Sequence, residues 1–305
     1  MTGATFRSGD LRVEYEERGT GFPLLALHGY YPDRRLMTGC LEPLFDEAGR
    51  APVPPGAAHG RPEGGRTRRS YRRIYPDLPF MGASSDPDGI RDSDGMLDAL
   101  CDFVRGVLPE GPFLAAGESY GGYLARGLAR RFPDRVRGLL LLCPMIVAER
   151  KDRSVPALRA LRVEPGYGAG RSPGEIAEFE SVAVVRDRYC QERFSREILP
   201  GLALARGGRL EALRDAGFGY SFDGMGRAGT EGAGEPFDPF FPGPALFLLG
   251  RQDASVGWTD ALRLADRYPR ATFAVLDGSG HNLQIEAAGL FACHVGAWLA
   301  ACEED

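Results

Sequence analysis

Ser119 stands in the run Gly117-Glu118-Ser119-Tyr120-Gly121-Gly122, a G-x-S-x-G pattern. Such spacing suits a very tight strand-to-helix turn that lifts a serine hydroxyl clear of a sheet, with glycine on either side preventing collision. A hydroxyl is a weak nucleophile until a base removes its proton, and the base needs an acid to orient it. The chain has only four histidines, His28, His59, His281 and His294. His281 follows small residues in Asp277-Gly278-Ser279-Gly280 and is the candidate base. His294 lies in an apolar helical run, His59 in a Pro/Gly/Arg stretch, and His28 reads as a structural hydrogen-bonding residue. Asp253, just past the apolar run 245–249, is the candidate acid. Asp277 is a second one, but it sits too near the end of its own strand to reach His281 easily. Each residue also has an ordinary reading: a glycine-rich turn for Ser119, a solvated loop for His281, and a turn or helix cap for Asp253.

Attack of the hydroxyl on a carbonyl creates an oxyanion that needs hydrogen-bond donors. The expected donors are main-chain N–H groups. That of Tyr120 lies at a helix N-terminus, and that of Tyr30 lies in the His28-Gly29-Tyr30 turn, where the conformation that Gly29 permits matters more than the tyrosine side chain. Tyr31, Phe80 and Tyr220 are candidate substrate-contacting residues, with Tyr30, Tyr120, Tyr167, Phe218 and Phe222 as further aromatics. Core packing is the alternative for all of them.

These groups must be brought to one edge of a sheet. Residues 11–16 alternate apolar and charged, as a half-buried antiparallel strand near a sheet edge does. The short apolar run at 23–27 suits a strand covered on both faces, 113–116, 136–142, 245–249 and 272–276 read as further strands, and 73–79 reads as a short strand entering a turn. Helical spacing is expected over 36–48, 93–107, 123–132, 259–268 and 287–300, with Asp92 or Ser93 able to cap the second. Alternating strands and helices imply an α/β fold with a mostly parallel central sheet between helices. Ser119, Asp253 and His281 then all project from its carboxyl edge. The rhythm changes between Cys143 and Phe241, with weak helical patterns at 175–185 and 196–204. The simplest account is a helical cap over 145–235, inserted into a core made of 1–144 and 236–305.

Composition limits the partners. The 305 residues are 43% hydrophobic and 26% charged, with a net charge of −5. These values fit a globular chain and give no electrostatic support for a nucleic-acid or anionic-membrane partner. No apolar stretch reaches the ~20 residues of a spanning helix. The first ten residues lack a basic-then-apolar pattern. The six cysteines form no CxxC pair or zinc spacing, so buried reduced thiols, a cytoplasmic location and no bound metal are expected. The arginine-rich stretch 50–69, extended by Arg72 and Arg73, reads either as a solvated loop or as an anion-binding patch made by Arg61, Arg66, Arg68, Arg69, Arg72 and Arg73.

Five segments together resemble the alpha/beta-hydrolase superfamily: LLALHGY (24–30), YPDLPFMGAS (75–84), GESYGGYLARGL (117–128), LFLLGRQDASVG (246–257) and DGSGHNLQIE (277–286). The resemblance implies a Ser119–Asp253–His281 triad, hydrolysis of an acyl bond and no cofactor. Serine as nucleophile argues against the epoxide-hydrolase and haloalkane-dehalogenase branches, where aspartate takes that place. The stretch 50–69 is longer than the family's usual connection, and the region 145–235 matches no cap we can assign. The leading expectation is a monomeric or homodimeric esterase-like serine hydrolase acting on a small, largely apolar ester, amide or thioester. A lyase, acyltransferase or cyclase using the same triad is the second. A non-catalytic ligand-binding protein on the same scaffold is the third.

Overall fold

Residues 2–50, 69–220 and 240–304 are described by the computed structural model. In chain order the strands are β1 (Thr2–Ser8), β2 (Leu11–Arg18), β3 (Phe22–Leu27), β4 (Tyr71–Pro76), β5 (Phe113–Glu118) and β6 (Val136–Leu142). There follow β7 (Arg162–Val163), β8 (Val185–Arg186), β9 (Ala245–Gly250) and β10 (Ala271–Leu276). Eight of them form one sheet in the order β1-β2-β4-β3-β5-β6-β9-β10. Pairing is antiparallel for β1 with β2 and β2 with β4, and parallel from β4 onward. The continuous apolar runs are the central strands: Leu24 to Leu27, Leu139 to Leu142 and Phe247 to Leu249 are all fully buried. Helices cover both faces of such a sheet, so neither face tolerates polar alternation.

β2 emerges as the half-buried antiparallel strand that its alternation predicts. β1 outside it has no counterpart in the sequence reading, because its only large apolar residue is Phe6. That ring packs edge-on against Phe103 at 5.6 Å, and Tyr15 of β2 packs on the same ring at 5.2 Å. Phe103 belongs to helix Ser93–Val107, whose start is fixed by Asp92, which accepts from the Gly95 N–H. The face expected to be apolar, including Met96, Leu97, Leu100 and Val104, is buried.

The helix expected over 36–48 ends earlier. Arg35–Leu41 is α-helical, Glu42–Leu44 tightens to a 3-10 turn at Pro43, and Phe45 is already extended. Proline fills a first-turn position well, but the extended residue after it stops the helix. The expected helix 259–268 is likewise split into Thr259–Leu262 and a 3-10 turn at Ala265–Arg267.

Between β6 and β9 the described residues include four α-helices: Pro173–Glu180, Arg188–Glu197, Leu199–Leu204 and Gly207–Asp215. Ser172 and Glu175 form a capping box, and Asp187 caps the second helix through the Cys190 N–H. Ile198, with Pro200 following, divides what read as one helix over 196–204. β7 and β8 pair with each other in this region. Residues 221–235, including Phe222, lie outside the described residues.

Arg61, Arg66, Arg68 and His59 also lie outside them. The other arginines of that stretch do not form a shared anion patch. Arg72 donates to Glu17 at 2.8 Å, and Arg73 holds Glu42 through two bonds of 2.8 and 2.9 Å. Arg69 donates to the Cys302 carbonyl and stacks over Phe22. All six cysteines are free thiols, and Cys293 is exposed where a buried thiol was expected. No described helix is long and apolar enough to cross a membrane.

Phe103, held between two rings under the sheet edge, is the packing element that joins β1 and β2 to the helical layer. Replacing it with alanine removes both contacts and leaves a cavity, and a loss of about 3–5 kcal/mol is expected in chemical denaturation.

Candidate active site

The turn after β5 occupies a single residue. β5 ends at Glu118, helix Tyr120–Arg131 begins at once, and Ser119 between them has φ 52° and ψ −115°. A side chain at positive φ away from the left-handed helical region is strained, and such strain persists only where surrounding structure enforces it. The flanking glycines show why. A Cβ on Gly117 would lie 2.1 Å from the Gly121 carbonyl oxygen, and one on Gly121 would lie 2.4 Å from the Leu27 oxygen. The helix starts three residues before its apolar pattern, which puts Tyr120 in the first turn, where its N–H has no intrahelical acceptor. Ser119 itself is partly exposed.

Asp253 follows the end of β9 and is fully buried. One carboxylate oxygen accepts from the Ser255 and Val256 N–H groups at 2.8 and 3.1 Å. The other lies 2.8 Å from His281 Nδ1. Asp277, the alternative acid, is exposed and accepts from the Gln252 side chain. The structure therefore brings His281 to Asp253 and leaves Asp277 outside.

A residue that the sequence reading passed over completes the surroundings of the imidazole. Glu118 Oε1 lies 3.2 Å from His281 Nε2, and the Glu118 side chain is buried. Burial pushes its carboxyl up to about 7, against the pull of the histidine charge. Burial would lower His281, but the Asp253 and Glu118 carboxylates outweigh it and hold the imidazolium up to about 9. The available signal was an acidic residue closing an otherwise apolar strand, FLAAGE.

The loop after β3 is held from below by His28. Its Nε2 accepts from the Leu78 N–H at 2.9 Å, so Nδ1 carries the proton and donates to the Gly29 carbonyl at 2.8 Å. Burial lowers the pKa of this ring and keeps it neutral. Gly29 is required for a reason other than the one expected. Its φ is not positive; a Cβ there would lie 2.1 Å from Glu118 Oε2 and 3.2 Å from Ser119 Cβ. The strained backbone falls instead on Tyr31, at φ 81°. The Tyr30 hydroxyl donates to the Leu210 carbonyl at 2.6 Å. The backbone N–H groups of Tyr30 and Tyr120 have no acceptor among the described residues.

Ser119, Glu118, His281, Tyr30, Tyr31 and Tyr120 all line one cavity of about 390 Å³. Phe218, Phe194 and Leu202 from the segment between β6 and β9 form part of its wall, as does Arg153. Carbonyls of Val147, Ala148 and Ser255 hold the Arg153 guanidinium, a placement with no sequence signal. Phe80 and Tyr220 are not at the cavity. Phe80 is buried at φ 68°, and Tyr220 stacks on Tyr123 at 4.4 Å. Tyr167 pairs with Glu180 away from it. Among the described residues one group has metal-ligating types close together, Cys143, Asp253 and His281. It is ill suited to an ion, because burial pushes the Cys143 thiol far up and the His281–Asp253 bond occupies Nδ1.

Comparison with known proteins is consistent with this geometry. A model described as "Alpha/beta hydrolase family" matches residues 24–292. The chain is 28% identical over 296 residues to 2-hydroxymuconate semialdehyde hydrolase of Pseudomonas sp. (strain CF600), spanning 96% of this chain and 92% of that protein. A shorter match, 39% identical over 90 residues, is to pimeloyl-[acyl-carrier protein] methyl ester esterase of Shewanella woodyi, covering 29% and 32% of the two chains. The crystal structure of an alpha/beta superfamily hydrolase from Oenococcus oeni PSU-1 superposes with a TM-score of 0.82 and 25% identity, covering 99% of this chain and 100% of that one.

Gly29→Ala forces the Glu118 carboxylate or the loop aside. Turnover of an ester substrate is expected to fall by about 10²-fold, the effect of a misplacement near 1 Å. Thermal melting should confirm that the variant is folded.

Proposed function

For a chain that belongs to the alpha/beta-hydrolase family, we propose a serine hydrolase in which Ser119, His281 and Asp253 form the catalytic triad. One observation carries the reading: a part-buried His281–Asp253 hydrogen bond opens onto the same cavity as a strained, partly exposed serine. Neutral His281 takes the Ser119 proton as Oγ attacks a carbonyl carbon. The backbone N–H groups of Tyr30 and Tyr120 receive the oxyanion. Asp253 fixes the tautomer by accepting from Nδ1–H, which leaves the Nε2 lone pair to act as base. His281 then protonates the departing group, leaving an acyl-Ser119. Water attacks that ester while giving its proton to His281, and the acid leaves as Ser119 recovers its proton.

The substrate is a small molecule. A cavity near 390 Å³ is within the range of small-ligand sites, and its wall combines aromatic and aliphatic side chains with a few charged ones. A small ester, amide or thioester fits it, as does the carbon skeleton of a semialdehyde such as that named for the Pseudomonas relative. Residues 145–220 act as part of a cap over the site, since Phe194, Leu202 and Phe218 reach the cavity from there.

Ser119→Ala is expected to lower turnover of a p-nitrophenyl ester by about 10⁴-fold or more and to abolish labelling by a fluorophosphonate. Turnover at the native rate in that variant contradicts the covalent mechanism. Asp253→Asn preserves the shape but offers the wrong partner to Nδ1, and a drop of about 10⁴-fold in kcat is expected.

A further inference from the structure

The catalytic imidazole faces a carboxylate where the proposed chemistry requires the hydroxyl. Glu118 Oε1 is 3.2 Å from His281 Nε2, whereas Ser119 Oγ forms no hydrogen bond among the described residues. The same carboxylate reaches the loop after β3, where its Oε2 fills the space against Gly29. Glu118 thus touches both the base and the loop that carries the Tyr30 donor. It is 2% exposed, so solvent does little to weaken either contact.

We propose that Glu118 is a positioning residue that latches His281 in the resting site. Its carboxylate holds the Nε2–H of the imidazolium while packing against Gly29, and the ring turns to Ser119 Oγ once the Nε2 proton has left. The inference rests on the serine-hydrolase reading above. With both nitrogens protonated, the ring donates to Asp253 and Glu118 and cannot accept a proton from serine. Loss of the Nε2 proton to water leaves a lone pair facing an anionic oxygen, which is repulsive. A hydroxyl donor is then the better partner. The latch therefore holds while Glu118 is ionised and His281 is protonated, and it releases when the imidazole loses its Nε2 proton.

The neighbours favour the latched state. Asp253 on Nδ1 and Glu118 on Nε2 both stabilise the cation, and Arg153 opposes them weakly from the cavity wall. The Cys143 thiol is kept neutral by burial, and Glu286 is engaged with the N–H groups of Gly280, Val184 and Val185.

The test is the pH dependence of Ser119 labelling by a fluorophosphonate, measured from pH 5 to 10 in the wild type and in Glu118→Gln. Glutamine keeps the shape of the side chain against Gly29 while removing the charge from Nε2. A carboxylate raises the histidine pKa, so its neutralisation must lower it. The acidic limb of the labelling rate should move down by about one pH unit or more from a wild-type position well above the ordinary histidine value of about 6.5. A limb that stays in place, with only a lower rate at every pH, overturns the latch and leaves the hydrolase reading intact. Absence of labelling in the wild type at all pH values overturns the hydrolase reading and the latch with it. Should Glu118→Gln fail to fold, NMR of ¹⁵N-histidine-labelled wild type decides. A His281 titration near 6.5 overturns the proposal, and one above 8 supports it.

Discussion

The site depends on one imidazole held between two buried carboxylates. Asp253 meets Nδ1 of His281 and Glu118 meets Nε2, and both acids are shut away from water. Charges in such a place are tolerable only when paired and hydrogen-bonded. Two backbone N–H groups bind the first carboxylate, and the second faces the imidazole and packs against Gly29. The loops after β3, β9 and β10 are consequently held against one another by the demands of three ionisable groups. The sheet supplies the frame, because parallel pairing of β3, β5, β6, β9 and β10 delivers all their carboxyl ends to one rim.

The main elements were legible where periodicity and burial agree. Leu24 to Leu27 and Leu139 to Leu142 read as covered strands because nothing polar interrupts them. Ser119 was legible because tight turns need glycine at fixed offsets. Asp253 and His281 were legible because each follows an apolar run that can end at only one sheet edge. In contrast, β1 owes its place to pairing with β2 and to one ring, Phe6, neither of which leaves a pattern. Helix lengths failed at Pro43 and around Ile198, where local breaks interrupted a spacing that continued beyond them.

The cavity lining was the least readable part. Tyr31 and Phe80 are both aromatic, both have positive φ and both lie near the same loop region, yet Tyr31 lines the cavity and Phe80 is buried. Which of two such residues points inward depends on tertiary packing. Glu118 was overlooked for a related reason: a motif written G-x-S-x-G assigns no role to its variable positions. Gly29 was recognised, but as a conformational requirement; the structure makes it one of space, created by a side chain 89 positions later in the chain.

The hydrogen bond from the Tyr30 hydroxyl to the Leu210 carbonyl spans two parts of the molecule with different duties. Its donor belongs to a residue that lines the same cavity as Ser119, and its acceptor lies in the helix Gly207–Asp215, which is built outside the sheet. A guest that displaces that helix must stretch the bond or drag the tyrosine with it. Entry of a molecule of the wrong shape would thereby disturb the Tyr30 amide, the oxyanion donor in the mechanism we propose. Discrimination between guests would then be expressed in reaction rate as well as in occupancy, through a single phenol acting as a mechanical tether.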